Sequence, residues 1–504
     1  MTKAIMIQGT SSDAGKSILV TALCRILKQD GYKVSPFKAQ NMALNAFVTE
    51  EGGEMGRAQV VQAEAAGIKP SVHMNPILLK PEADARSQIV VHGKSLKTIS
   101  ALDYHKHSLE LFKDVETSYN HLKSEYEFII IEGAGSPAEI NLKDTEIVNM
   151  RIAKMASAPV ILVGDIDRGG VFASLVGTLD LLDEEERNFF KGFVINKFRG
   201  DVNLLGSGIE TIEKRTGVPV LGIIPYFRNI SIAQEDSVYL DKKSDQPASA
   251  ELDIAIIRLP RISNYDDFDP LEENGSKIRY VNELWQLGNP DLIIIPGTKS
   301  TIADLSFLRQ SGLAEAITKS SKNGTPVIGI CGGYQILGKS LRDPEGIESD
   351  KGSSSLGLGL LHTITTFARD KSTTQIRGKV SANHGLLEGM SGQEITGYEI
   401  HMGRTETRGS NNAFHILETP KGSADYADGA INEQGTVFGT YIHGIFHNDS
   451  FRHSLINAIR RYRGIPEVSG ATTFNKDKEY DKLADLVRRS IDIKRIYRII
   501  EEGI

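Results

Sequence analysis

Short, uninterrupted apolar runs recur along the first half of the chain, and most of them end on a polar residue. They occupy residues 4–8, 128–132, 159–165, 192–196 and 219–225. A continuous apolar run of this length predicts a strand buried on both faces, as in a parallel sheet. Amphipathic segments alternate with the runs and predict helices, the first of which reaches about Gln29. The pattern therefore predicts an α/β domain with a doubly wound, mostly parallel sheet.

The same pattern returns in the second half, after a polar stretch without periodicity. That stretch, Asp241–Ala250, contains proline and serine and is typical of a linker. Buried-strand runs follow at residues 253–259, 291–295 and 326–330. We expect a second doubly wound, mostly parallel α/β domain, with domains over 1–240 and 252–447, a linker over 241–251 and a helical C-terminal tail over 448–504.

Two further stretches have clear periodicity. Ser87–His92 alternates between apolar and polar residues and predicts a strand, whereas Leu96–Lys123 predicts one or two helices. In the tail, an apolar stripe at helical spacing is expected to pack the tail onto the body of the protein. The stripe consists of Leu483, Leu486, Val487, Ile491, Ile496 and Ile499.

Residues Gly9–Ser17 read Gly-Thr-Ser-Ser-Asp-Ala-Gly-Lys-Ser and lie between a predicted strand and a predicted helix. This context indicates a phosphate-binding loop, whose backbone N–H groups and helix N-terminus bind phosphates. Lys16 is expected to reach the outer phosphates and the Ser17 hydroxyl to bind Mg²⁺. Gly9 and Gly15 are separated by five residues instead of the usual four. This spacing favours one branch of the phosphate-loop superfamily over an ordinary ATPase.

Polar side chains stand at the ends of three predicted strands, at Glu132, Asp165, Asp167, Arg168 and Asn196. The carboxyl ends of parallel strands meet at one edge of a sheet, where ligands bind. A carboxylate beside a phosphate loop can bind Mg²⁺ directly or through water. Each carboxylate alone could equally cap a helix. Together they favour a shared nucleotide site.

Amide-rich and basic residues occupy loops after short predicted strands of the first half, at Lys38, Gln40, Asn41, Asn45 and Arg57. Loops at the carboxyl ends of strands commonly bind ligands in α/β proteins. Solvated surface loops would have the same composition. The sequence weighs these two interpretations evenly.

The stretch Pro326–Gln335 predicts a buried strand, a glycine turn with Cys331 at its apex, and a helix. This is the pattern of a nucleophile elbow, in which a helix N-terminus lowers the thiol pKa. Backbone N–H groups near Gly297 and Gly332 are expected to form an oxyanion hole. A cysteine nucleophile needs a base, and His443, at the end of a predicted strand, is the better candidate. His401 is expected to be structural, and a buried structural cysteine is the alternative for Cys331.

Net charge, cysteine content and the length of the apolar runs exclude several classes of protein. A formal net charge of −7 argues against a dedicated nucleic-acid binder. The chain has two cysteines, Cys24 and Cys331, which excludes a disulfide scaffold and fits a reducing compartment. The sequence begins directly with a predicted strand, and no apolar run approaches the roughly 20 residues of a membrane helix. We expect a cytoplasmic protein without a membrane partner.

Several longer motifs, spread over about residues 5–447, together resemble those of the cobyric acid synthase family, the glutamine-dependent amidating enzymes of cobalamin biosynthesis. These motifs are Phe37–Met42, Glu54–Gln59, Glu132–Glu139, Gly164–Gly170, Asn196–Asp201, Ile262–Asn264, Asp267–Pro270 and Gly397–His401. The first half is similar to the dethiobiotin-synthetase branch of phosphate-loop proteins. The second half is similar to class I glutamine amidotransferases.

The resemblance implies ATP-dependent amidation of the b, d, e and g carboxylates of adenosylcobyrinic acid a,c-diamide, through acyl phosphates. It implies a corrinoid substrate, ATP, Mg²⁺ and glutamine as nitrogen donor, and no flavin or nicotinamide. By motif, Cys331 forms a thioester with glutamine, and His443 moves protons. The oxyanion and glutamine contacts implied are Gly297, Gly332, Tyr334 and Gln335. Those to ATP are Gly9, Asp13, Ala14, Gly15, Lys16, Ser17, Lys38 and Asn196, with Ser17 and Glu132 on Mg²⁺. Candidates for substrate binding are Gln40, Asn41, Asn45, Arg57, Asp165, Asp167 and Arg168.

One departure concerns the histidine. Many class I amidotransferases have a glutamate two residues after it, where this chain has Ile445. Either another group orients His443 or the site works as a dyad. The sequence leaves two alternatives open: amidation of cobyrinic acid or a cell-wall precursor, and a partition-type nucleotide-switch ATPase. The sequence also leaves open a homo-oligomer.

Overall fold

The computed structural model describes residues 2–83, 86–227, 230, 232, 251–272, 275–408, 411–470 and 473–504. The predicted linker, apart from Glu251, lies outside the described residues. The chain forms two compact units. The first comprises Met1–Ala43, Glu54–Ala233 and Asn475–Ile504, and the second comprises Leu44–Gly53 and Gln234–Phe474.

Strands and helices alternate through both units. The strands are β1 (Lys3–Gly9), β2 (Val34–Phe37), β3 (Gln40–Met42), β4 (Ala46–Val48), β5 (Glu54–Gly56), β6 (Ile77–Ala83), β7 (Arg86–Val91), β8 (Lys94–Ser100), β9 (Phe128–Glu132), β10 (Val160–Asp165), β11 (Phe190–Phe198), β12 (Val220–Pro225), β13 (Leu252–Ile257), β14 (Ser276–Val281), β15 (Leu292–Ile295), β16 (Val327–Ile330), β17 (Ser340–Asp343), β18 (Ser353–Leu356), β19 (Thr363–Val380), β20 (Glu394–Thr407), β21 (Phe414–Thr419), β22 (Gly422–Asp428), β23 (Ala430–Ile431) and β24 (Val437–Thr440). The helices are α1 (Lys16–Gln29), α2 (Arg57–Ala66), α3 (Ala101–Glu125), α4 (Met150–Ala156), α5 (Val171–Asp180), α6 (Glu184–Arg187), α7 (Gly206–Thr216), α8 (Leu284–Leu287), α9 (Thr301–Gln310), α10 (Leu313–Lys322), α11 (Gly332–Leu337), α12 (Asp449–Tyr462), α13 (Lys476–Ser490) and α14 (Ile493–Glu502).

A six-stranded parallel sheet forms the centre of the first unit, in the order β12-β11-β10-β1-β9-β2. Its central strands are the apolar runs of the sequence, and their side chains are almost fully buried. Strand β1, which leads into the phosphate loop, pairs with both β9 and β10. The strand ends at Gly9, Glu132 and Asp165 therefore lie side by side at one edge. The predicted α/β fold class is confirmed.

A smaller sheet of order β3-β6-β7-β8 accompanies the main sheet of the first unit. Here the predicted helix over Leu96–Lys123 is wrong at its start, because the residues up to Ser100 form β8. Strand β8 pairs with β7 across a turn at His92 and Gly93, both with positive φ. This hairpin pairing outweighs the local helical pattern. Helix α3 begins at Ala101, after the Ser100 side chain caps the backbone N–H of Asp103.

The second unit has its own six-stranded sheet, in the order β14-β13-β15-β16-β24-β23, and all its pairs are parallel except β23 with β24. Strands β15 and β16 are fully buried. A second, largely antiparallel sheet of order β18-β17-β19-β21-β22, with β20 paired to β19, is added to it. The sequence did not predict this sheet, whose long strands alternate between buried and exposed residues.

The residues after 448 divide between the two units. Helix α12 belongs to the second unit, whereas α13 and α14 belong to the first. Most of the predicted apolar stripe is buried there in one cluster with α1. Its buried members are Leu483, Val487, Ile491, Ile496 and Ile499. Within the described ranges, no helix is long and apolar enough to cross a membrane.

Candidate active sites

The loop between β1 and α1 holds the predicted phosphate site of the first unit. Two of its residues, Asp13 (φ 59°) and Gly15 (φ 102°), have left-handed backbone conformations. A Cβ atom on Gly15 would lie 1.9 Å from Nδ2 of Asn196, so only glycine fits there. The Lys16 ammonium donates to the carbonyl oxygens of Ser11 (2.8 Å) and Gly135 (3.0 Å). The lysine is therefore held against the loop.

Glu132 is the centre of a buried polar cluster beside this loop. Its Oε1 accepts hydrogen bonds from the Ser17 hydroxyl and the Lys38 ammonium, each at 2.8 Å. The Gln62 amide donates to Oε2. Burial opposes ionisation of Glu132, but the charge of Lys38 and these hydrogen bonds outweigh it and hold the pKa of Glu132 below its usual value. The carboxylate is therefore ionised at neutral pH.

The strand-end residues of β10 and β11 surround Asp13 of the loop. Lys197 donates to Asp165 (2.9 Å) and to the Asp13 carbonyl oxygen (2.5 Å), and Arg168 lies 3.2 Å from the Asp13 carboxylate. Asp167 instead forms an ion pair with Arg199 at 2.8 Å.

Asn196, predicted to bind ATP, contacts the loop itself. Its side chain is 4% exposed, and its Nδ2 donates to the carbonyl oxygen of Ala14 at 2.9 Å. Together with the strand-end ion pairs, this hydrogen bond ties the phosphate loop to the neighbouring strand ends. Gly9 adds a further constraint, since a Cβ there would lie 3.0 Å from the Lys16 ammonium.

The predicted substrate-binding residues do not form one group. In the first unit, Gln40 accepts from the Tyr104 hydroxyl, and Asn41 donates to Gln59 at 2.9 Å. Arg57 starts α2 and is 4% exposed. Burial opposes ionisation of nearby Glu64, but the charges of Lys476 and Arg57 and its hydrogen bonds outweigh it and lower the pKa of Glu64. Asn45 belongs to the second unit, whereas the other candidates belong to the first.

Cys331 stands at the predicted elbow of the second unit. It follows β16 and precedes α11, and its φ of 52° and ψ of −109° are strained for a residue other than glycine. Its backbone N–H donates to the Thr440 carbonyl oxygen at 2.8 Å. Its thiol lies 3.7 Å from the carbonyl oxygen of Ile400 and also interacts with His443. A strained backbone that places a thiol against a histidine is typical of a catalytic nucleophile.

Asp267 orients His443. The ring Nδ1 lies 2.6 Å from Oδ2 of Asp267, and Oδ1 accepts from the Gly444 backbone N–H at 2.8 Å. Both side chains are nearly inaccessible to solvent. Burial opposes protonation of the ring, but the charges of Asp267 and Cys331 and their hydrogen bonds outweigh it and raise the pKa of His443 to about 10. Cys331, His443 and Asp267 have the contacts of a catalytic triad.

The predicted oxyanion and glutamine contacts lie next to Cys331. A Cβ on Gly332 would be 3.1 Å from the backbone nitrogen of Thr298, and one on Gly297 would be 3.0 Å from the His443 ring. Glycine at both positions therefore lets Gly332 approach the backbone of Thr298, and Gly297 approach the His443 ring, more closely than a larger residue would.

Gln335 and Tyr334 differ in their surroundings. Gln335 accepts from Thr301 at 2.9 Å and donates to the Tyr441 hydroxyl at 3.1 Å. The Tyr334 ring is buried and packs edge-on against Tyr441, with ring centroids 5.2 Å apart. His401 stacks on Tyr441, with ring centroids 3.6 Å apart.

Sequence reasoning missed two functional candidates, Asp267 and Gln62. Asp267 lies 176 residues before His443, so no local spacing connects them. It begins the Asp267–Pro270 motif, which already distinguished this family, and this motif was the available signal. Gln62 lies within α2, and nothing in its local pattern separates it from other helical glutamines.

Ser17 and Glu132 provide hydroxyl and carboxylate oxygens, the ligands that Mg²⁺ prefers. Among the described residues, no group of three or more His, Cys, Asp or Glu is placed to hold a metal ion by itself. Mg²⁺ at phosphoryl-transfer sites commonly has one or two protein ligands and completes its shell with phosphate oxygens and water. The two residues therefore fit a magnesium–nucleotide complex.

Comparison with known proteins covers both halves of the chain. A family model described as a CobQ/CobB/MinD/ParA nucleotide binding domain matches residues 5–238, and one described as a CobB/CobQ-like glutamine amidotransferase domain matches residues 253–451. A cobyric acid synthase from Dehalococcoides mccartyi is 63% identical over 504 residues, all of both chains. One from Moorella thermoacetica is 52% identical over 505 residues, covering 99% of this chain and 98% of that one.

A nucleotide-binding domain followed by a glutaminase-type domain defines the class of ATP-dependent glutamine amidotransferases. Within this class, the chain belongs to the cobyric acid synthase family. The resemblance seen in the sequence motifs is thereby confirmed.

Proposed function

We propose that this chain uses ATP and glutamine to amidate the b, d, e and g carboxylates of adenosylcobyrinic acid a,c-diamide, giving adenosylcobyric acid. The observation that supports this most directly is that one chain combines two distinct polar clusters. One surrounds Glu132 beside the phosphate loop, and the other joins Cys331, His443 and Asp267. Full-length similarity to cobyric acid synthases supports the corrinoid over a cell-wall precursor or a nucleotide switch.

The glutaminase half of the reaction releases ammonia. The Cys331 thiolate attacks the amide carbon of glutamine, and N–H groups near Gly297 and Gly332 stabilise the oxyanion. His443 gives a proton to the departing ammonia, a role suited to a ring whose pKa is raised to about 10. Asp267 fixes the ring orientation and stabilises its positive charge. Water then hydrolyses the thioester and releases glutamate.

The synthetase half activates a carboxylate, which by itself is a poor electrophile. The carboxylate oxygen attacks the γ-phosphate of ATP, so an acyl phosphate and ADP form. Lys16 and Lys38 bind and neutralise the transferred phosphoryl group. Mg²⁺, when bound with ATP by Ser17 and Glu132, would offset the negative charge of the phosphates. Ammonia then attacks the acyl carbon, and phosphate leaves.

We propose that the reaction takes place in the cytoplasm, with no nucleic acid or membrane as a partner. The net charge of −7 and the two unpaired cysteines support this location. The proposed ATP-binding domain spans residues 1–240 and the glutaminase domain 252–447, joined by the linker at 241–251. A homo-oligomer is compatible with this arrangement.

Mass spectrometry of the corrinoid tests the proposal. After incubation of the diamide with ATP, Mg²⁺ and glutamine, we expect four successive conversions of a carboxylate into an amide, with one ADP formed for each. The Cys331→Ala variant should give the same products only when ammonium salt replaces glutamine. A corrinoid of unchanged mass would contradict the proposed substrate, and amidation of cobyrinic acid in its place would identify the rival substrate.

A further inference from the structure

Asn45 lies in a segment that belongs to the first half by sequence but folds with the second unit. Residues 44–53 lie between strands β3 and β5, yet they group with Gln234–Phe474. Asn45 itself is 1% exposed. A polar side chain buried to this extent requires hydrogen-bond partners. The hydrogen bond made by Oδ1 indicates what Asn45 does.

Among the described residues, the hydrogen-bond partner of the Asn45 side chain is the backbone of Asn264. Its N–H donates to Oδ1 of Asn45 at 2.7 Å. Asn264 has a positive φ of 53°, which is uncommon for residues other than glycine and is adopted by asparagine more readily than by most. Its side chain returns to the same segment, since Nδ2 donates to the carbonyl oxygen of Ala46 at 2.8 Å. Residues 45 and 46 therefore hold Asn264 in this conformation.

Asn264 connects this segment to the histidine. Its Nδ2 also donates to the Tyr398 hydroxyl at 2.8 Å. The Tyr398 ring stacks on the His443 ring, with centroids 5.4 Å apart and planes at 20°. Two backbone hydrogen bonds of 3.1 and 2.9 Å join the same two residues. Phe47 packs its ring edge-on against Tyr398 at 5.0 Å. Tyr398 is thus held between the 44–53 segment and the imidazole.

The backbone groups of Asn264 and of the preceding residue, Ser263, also contact the glutaminase site. The Asn264 carbonyl oxygen accepts from the N–H of Asp267 at 3.1 Å, and Asp267 orients His443. On the other side, the N–H of Ser263 donates to the carbonyl oxygen of Gly297 at 2.9 Å. The short segment fixed by Asn45 therefore supports both the orienting carboxylate and the candidate oxyanion glycine.

We propose that Asn45 is a positioning residue of the glutaminase site, acting through Asn264 on Tyr398, His443 and Asp267. This inference rests on the proposed function, of which glutamine hydrolysis is one half. It replaces the contact with the corrinoid that the sequence suggested for Asn45. Residues 44–53 follow strand β3, which comes shortly after Lys38 in the sequence. By this inference, that segment sets the geometry of His443, the base that serves Cys331.

The test compares the two half-reactions of an Asn45→Ala variant of the full chain. We expect kcat for glutamate release to fall about tenfold, because the N–H of Asn264 loses its buried acceptor. The KM for glutamine should stay within about twofold, because a positioning residue acts through other groups and makes no contact with the substrate. Amidation with ammonium salt, and the KM for the corrinoid, should also stay within about twofold of the unaltered protein.

Alkylation of Cys331 by iodoacetamide gives a readout that does not need turnover. Its dependence on pH follows the pairing of the thiol with His443, so the profile should shift in Asn45→Ala. Tyr398→Phe removes one hydroxyl and keeps the ring, and it should lower glutamate release in the same direction. Glu51→Gln, an exposed position in the same segment, should match the unaltered protein in every assay.

Two outcomes would overturn the inference. One is a higher KM for the corrinoid with normal glutamate release, which would restore Asn45 to substrate binding. The other is a normal glutaminase and a normal alkylation profile in both Asn45→Ala and Tyr398→Phe. Either result is distinct from failure of the proposed function, in which the unaltered protein itself would neither release glutamate nor amidate the corrinoid.

Discussion

Asp267 supplies the carboxylate that the motif around His443 lacks. The position two residues after the histidine holds Ile445, which is buried and apolar. The carboxylate comes instead from a 3₁₀ helix, Tyr265–Glu272, at 2.6 Å from the ring. Cys331 and His443 could be singled out from local glycine patterns. Their third partner could not, because its contact depends on tertiary folding.

Replacing Asp267 by Asn should lower the pKa of His443 from about 10, because the neutral amide removes a charge that favours the imidazolium. Less imidazolium is then present as pH rises through neutrality. We expect glutamate release to fall by about 100-fold or more, and its upper pH limit to move downward. A pH series of glutaminase activity measures both effects. Amidation with ammonium salt serves as the control, and an unshifted pH limit would contradict the role of Asp267.

A corresponding prediction for the first unit concerns Glu132. The Glu132→Gln change removes the charge paired with Lys38 and one oxygen suited to Mg²⁺. Amidation should fall by about 100-fold or more with either nitrogen source, as expected when a group that organises phosphoryl transfer is lost. Basal glutamate release should persist. Glu210→Gln, an exposed carboxylate on α7, provides the matched control, and loss of amidation with glutamine alone would exclude the assigned role.

Buried parallel strands were the most predictable elements. The runs that form β1, β9, β10 and β16 are continuous and apolar because both faces of these strands are covered. Strand β8 shows the limit of this reasoning. Its residues are mostly exposed or half-buried, so they have no strong apolar pattern, and their pairing with β7 decides their conformation.

The helices α13 and α14 provide a prediction at the scale of an element. Leu483 is fully buried in the cluster that includes α1, and Arg25 of α1 forms ion pairs with Asp477 (2.8 Å) and Asp481 (2.7 Å). Leu483→Ala should lower the free energy of unfolding of the first unit by about 2–5 kcal/mol, since it removes buried methyl groups and leaves a cavity.

Thermal unfolding with and without ATP measures this effect, because the nucleotide should raise the melting temperature of the unit that binds it. Asp485 lies on the exposed side of the same helix, so Asp485→Asn should leave the melting temperature of the first unit unchanged. An unchanged melting temperature in the Leu483→Ala protein would show that α13 and α14 contribute little to the stability of the first unit.

At the scale of the whole molecule, the two units are not consecutive stretches of sequence. Residues 44–53 fold with the second unit, and residues 475–504 fold with the first. The repeated apolar runs predict two α/β domains, but nothing in them indicates that residues 44–53 fold with the second unit and residues 475–504 with the first. A short loop and an amphipathic helix have the same local pattern whichever unit they join.

Separating the chain within residues 241–250 should therefore leave both parts incomplete. A protein of residues 251–504 lacks Asn45 and Phe47, so we expect its glutamate release to be at least about tenfold lower than that of the full chain. Production together with residues 1–240 should restore activity if the two parts associate. Full glutaminase activity in the isolated part would contradict a contribution from the 44–53 segment.

Residues 475–504 are synthesised last but belong to the first unit, which affects how that unit folds during synthesis. A ribosome adds roughly 5–20 residues per second, so on the order of 10–50 s passes between translation of Ala233 and of Ile504. Throughout that interval the apolar residues of α1 that pack against α13 and α14 lack their cover. A nascent chain in this state exposes a surface that invites aggregation or chaperone binding. The second unit has no such delay, because its outlying segment, 44–53, is made before the rest of it.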